Sequence, residues 1–95
     1  MKLNISVRMM DQKHNAVGDD IVFENMCFIP DVGETMNIEI DWVKECAGAH
    51  WVKDELIPVE VVRREYEISD GEAWVMLYCR GSKRYGYHTV FEKTI

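Results

Sequence analysis

Three cysteines, two prolines and no long apolar run mark this chain of 95 residues, and each shortage closes a class of explanation. Cys27, Cys46 and Cys79 are odd in number, widely spaced and without a Cys-x-x-Cys pair, which argues against a disulfide framework or a closed zinc site. They read as reduced, mostly buried thiols. No apolar segment approaches the roughly 20 residues of a membrane helix, and the first residues alternate where a leader peptide would be continuously apolar. No membrane contact and a cytoplasmic location are therefore expected. Basic residues are outnumbered 11 to 17, a formal charge of −6, which works against general attraction to a phosphate backbone. Repeats and low-complexity stretches are also missing, apart from Trp42-Val-Lys44 echoed at Trp51-Val-Lys53.

What remains is a balance of 47% hydrophobic and 29% charged residues, which supports a packed globule and a single domain over 1–95. Leu3, Ile5, Val7 and Met9 alternate with Asn4, Ser6 and Arg8, so residues 2–10 read as a half-buried strand. A polar loop over 11–20 leads to a second strand, 21–29, whose apolar residues do not keep one phase. Pro30 ends it, Gly33 takes the positive φ of a turn, and Met36, Ile38, Ile40 and Trp42 alternate in a third strand. Between 43 and 58 a short helix near 48–56, with Ala49, Val52 and Leu56 on one face, competes with a hairpin at Ala47-Gly48, and Pro58 ends either.

Residues 59–68 form a strand whose phase slips at Val61-Val62, the mark of a bulge. Ser69-Asp-Gly71 is a turn, and 73–79 is apolar on both faces, as a central strand is. A last strand, 85–92, is expected to form a hairpin with it. The expected fold is mainly β: five to six strands in a small antiparallel curled sheet or barrel, with a short helical insertion.

Two stretches, Ile29-Pro-Asp-Val-Gly-Glu34 opening a strand and Val61-Val-Arg-Arg-Glu-Tyr-Glu-Ile-Ser-Asp-Gly71 leading into a hairpin, together resemble a loose group of small bacterial and phage-type proteins with SH3-like barrels. The resemblance covers about half the chain, with residues 43–58 as an insertion. It implies an SH3-like barrel and a mobile gene cassette product, and it brings no catalytic residue with it.

With a turn at Lys83-Arg84, Val75, Leu77, Cys79, His88 and Val90 share one face, while Trp74, Met76, Tyr78, Tyr87 and Phe91 crowd the other. Both are too apolar to stay wet: one lines the core, and the other needs the 43–58 segment, a second copy or a ligand as cover. Trp74, Met76, Tyr78, Tyr87 and Phe91 are therefore the expected interaction surface, with a homodimer or another protein as the expected partner. Arg80, Lys83, Arg84, Tyr85 and Tyr87 interleave cations with rings that stack on bases. Single-stranded nucleic-acid binding is thus one alternative, weighed against a solvated hairpin tip whose cations offset an acidic surface. Small-molecule binding against the tryptophans is another.

Cys46, His50 and Asp54 have the spacing of a ligand row on a helix, but without a second pair the ordinary reading is a buried cysteine beside a surface histidine, and no metal is expected. Cys79 opposite His88 sets a thiol near an imidazole with no orienting group or oxyanion site. Acidic residues at 39, 41, 60, 65 and 67 fall on outward positions and read as a solvated face. The function expected is that of a non-enzymatic binding domain, without a cofactor, acting through protein interaction or self-association.

Overall fold

The computed structural model describes residues 2–39 and 56–87. Five strands, β1 (Lys2–Met9), β2 (Ile21–Phe23), β3 (Thr35–Glu39), β4 (Leu56–Ser69) and β5 (Glu72–Gly81), form one sheet in the order β2-β1-β5-β4-β3. The fold is mainly β, and β5 is central, as its two apolar faces require. Antiparallel neighbours are expected throughout; β1 and β5 instead run parallel, from Lys2↔Glu72 to Met9↔Cys79. Short turns join consecutive strands antiparallel, but β1 and β5 are separated by three strands, and no local signal fixes their relative direction.

The sheet curls into a half-barrel. Its outer strands, β2 and β3, do not meet, yet Ile21 and Phe23 face Asn37 and Ile38 across one hollow. The concave side holds the core: Ile5, Val7 and Met9 from β1, Ile57, Val59 and Val61 from β4, and Val75, Leu77 and Cys79 from β5 are all buried. Such side chains contribute roughly 1.5–3 kcal/mol each when removed from water.

A bulge in β4 decides which residues face out. The pairing passes from Val61↔Cys79 to Arg63↔Tyr78, leaving Val62 unopposed. Before it, odd-numbered residues point into the core; after it, Arg64, Tyr66 and Ile68 take the inner side and Arg63, Glu65 and Glu67 the outer. The loop before β3 secures the bulge. Gly33, at a φ of 92° that favours glycine, donates its N–H to Val61 O at 2.8 Å, and Val61 N–H donates to Glu34 O at 3.0 Å.

Three expected boundaries are corrected. β2 stops at Phe23 rather than running to 29, because Asn25 turns at a φ of 54° and its N–H donates to Asn4 Oδ1, while Met26 N–H donates to Leu3 O. β4 begins at Leu56 and runs through Pro58. Pro58 O accepts from Ser82 N–H, so the missing proline N–H points the same way, just past the end of β5 where no ladder bond is lost. Finally, β1 and β4 occupy both edges of β5, leaving none for a strand over 85–92; residues 83–86 form a turn and Tyr87 follows outside any strand. Residues 88–92, the end of the third expected strand and the 48–55 part of the expected helix lie outside the described residues.

Candidate functional site

The outer face of the sheet gathers large side chains where a convex surface usually carries small polar ones. β5 projects Trp74, Met76 and Tyr78 outward, and all three are half-buried. The ladders set them opposite Glu67, Glu65 and Arg63 of β4 on one side and beside Asn4, Ser6 and Arg8 of β1 on the other. Ser6 is only 6% exposed; its short side chain between larger neighbours leaves a hollow of about 410 Å³ lined also by Trp74, Met76, Tyr78, Glu65 and Glu67. Two hollows of similar size lie elsewhere: the gap of about 400 Å³ between β2 and β3, and the half-barrel's apolar inner groove, about 370 Å³ and lined by Phe23, Met26, Ile29, Met36 and Ile38 among others.

Tyr78 is held on every side. Its Oη donates to Glu65 Oε2 at 3.1 Å, the Arg63 guanidinium lies 4.1 Å from the ring centroid, and that of Arg8 lies 5.8 Å away. Arg63 pairs with Glu65 at 3.2 Å. Arg8 donates from Nε and one terminal nitrogen to the two carboxylate oxygens of Asp20, at 3.0 and 2.9 Å; this hydrogen bond and the charge of Asp20 hold the Arg8 guanidinium above its ordinary pKa. Trp74 and Glu67, at the other end of the hollow, differ: among the described residues no cation stacks on Trp74 and Glu67 has neither ion pair nor hydrogen bond.

Of the five residues expected to form the interaction surface, Trp74, Met76 and Tyr78 share this face. Tyr87 does not: it packs against the buried core cluster and its N–H donates to Ser82 O. It was grouped through a hairpin that β5 has no free edge to make. Phe91 lies outside the described residues.

The expected nucleic-acid group is dispersed. Arg80 sits on the outer face, paired with Glu60 at 2.9 Å, Tyr87 packs inward, and only Lys83, Arg84 and Tyr85 are exposed in the 83–86 turn, where Arg84 lies 5.5 Å from the Tyr85 ring centroid. Cys79 faces the core between Met9 and Val61, and burial pushes its thiol up to about 12, the reverse of what a nucleophile needs. His88 and the row Cys46, His50, Asp54 lie outside the described residues. Cys27 is exposed rather than buried.

Sequence reasoning set Glu65 and Glu67 aside as solvated acids. The signal that places them beside Met76 and Trp74 was present: a two-residue turn at Asp70-Gly71, both at positive φ, fixes Ser69↔Glu72 and hence Glu67↔Trp74. No family model, curated protein or solved structure matches the chain.

Proposed function

We propose that the chain is a non-enzymatic binding domain that recognises another protein through the outer face of β5, with Trp74, Met76 and Tyr78 as the contact residues. The observation that carries this reading is the pairing of large, half-buried apolar side chains with a hollow beside them on a face rimmed by charge. Aromatic and methionine side chains within a charged rim are the usual composition of a protein contact. The net charge of −6 disfavours face-to-face pairing of two copies and favours a basic partner. A nucleic-acid reading draws less support, since Arg80 is neutralised by Glu60 and Tyr87 is turned inward.

The test is mass in solution by light scattering, together with partner retention by wild type and Trp74→Ala. Trp74→Ala is expected to weaken the contact by about 2 kcal/mol, some thirtyfold. A dimer that Trp74→Ala dissociates would make the partner a second copy. A wild-type monomer whose associations are untouched by Trp74→Ala would end the proposal.

A further inference from the structure

The outer face carries two aromatic stations on the same strand, four residues and thus about 13 Å apart. At the first, Tyr78, the molecule supplies its own cation: Arg63 lies on the ring, and Glu65 holds both the Arg63 guanidinium and the tyrosine hydroxyl. At the second, the ring is Trp74, the aromatic that binds cations best. Its cross-strand partner is the carboxylate of Glu67, with Glu65 on the diagonal, and the described residues bring no cation to Trp74 or to Glu67. The hollow opens between the two stations and is lined by both carboxylates.

From this we infer that the Trp74–Glu67 end of the hollow is a binding site for a guanidinium group, the side chain of an arginine in a basic segment of the partner protein. The occupied Tyr78 station displays the chemistry that its open counterpart takes: a planar cation stacked on a ring beside a carboxylate. Glu67, which has no ion pair among the described residues, repels anionic ligands, and a neutral ring would desolvate its carboxylate without compensation. A second copy is a poor source of the cation, since the arginines of this face are engaged: Arg8 by Asp20, Arg63 by Glu65 and Arg80 by Glu60.

The inference rests on the contact-face reading and is tested apart from it. A blocked glycine–arginine peptide is titrated into the protein and followed by calorimetry and by the Trp74 indole N–H resonance, identified by its loss in Trp74→Phe. The same peptide with citrulline, neutral and of equal shape, is the control. Binding that shifts the Trp74 resonance, is lost with citrulline, and weakens about five- to tenfold in Glu67→Gln supports the site. Glu39→Gln, which removes one exposed charge from β3, should change it less than about twofold. Equal weakening by Glu67→Gln and Glu39→Gln, or a Trp74 resonance that stays put at saturation, overturns it. If Trp74→Ala abolishes protein association while the arginine peptide does not bind, the contact face stands and the guanidinium site falls.

Discussion

The two sides of β5 differ in a way that composition alone does not foretell. Val75, Leu77 and Cys79 on the inner side are each 0% exposed, whereas the bulkier Trp74, Met76 and Tyr78 on the outer side are only half-buried. Curvature accounts for the assignment. The concave side converges, so the modest side chains of β5 are enclosed there and lie wholly out of water; the convex side diverges, so large ones lie across their neighbours and remain partly in water. The inner side therefore holds the molecule together, and the outer side is free to recognise something else.

The comparison breaks most sharply by truncation. Leu77→Ala is expected to cost about 2–5 kcal/mol in urea unfolding, while Met76→Ala, its outward neighbour, costs about 1 kcal/mol; equal losses would erase the distinction between the sides. Titration sharpens it next. The inner Cys79 thiol ionises at about 12 in the fold but near 8.5 once unfolded, so the unfolded chain releases this proton first. The contribution of Cys79 is complete below about pH 8.5 and is lost as the pH rises toward the folded value, by about 1.4 kcal/mol per unit. Urea unfolding between about pH 8 and 10 should show this alkaline slope in wild type, and Cys79→Ala should flatten it. The smallest effect belongs outside: Tyr78→Phe removes the exposed bond to Glu65 and is expected to cost about 0.5 kcal/mol by the same measurement.

Much of this architecture was legible from local pattern. Alternation marks β1, the phase slip at Val61-Val62 marks the bulge, Asp70-Gly71 marks the turn, and two-sided apolarity marks β5 as central. What escaped was pairing between distant segments. A period of two tells which residues share a face but not which strand lies alongside, so the parallel β1–β5 ladder was invisible and β5 was assigned the wrong neighbour. The candidate site divides the same way. Trp74, Met76 and Tyr78 follow from alternation within one strand; Glu65, Glu67 and Ser6 join them only through cross-strand register, and Tyr87 was included through a register that does not form.

Val62, the unopposed residue of β4, gives the gene an unusual lever. Excising its codon would let Val61↔Cys79 be followed at once by Arg63↔Tyr78, so the kink would go while Glu65 and Glu67 keep the outer side and Arg64, Tyr66 and Ile68 the inner. A one-codon deletion there would thus separate the bend of the ribbon from the identity of its exposed side chains, which no substitution does.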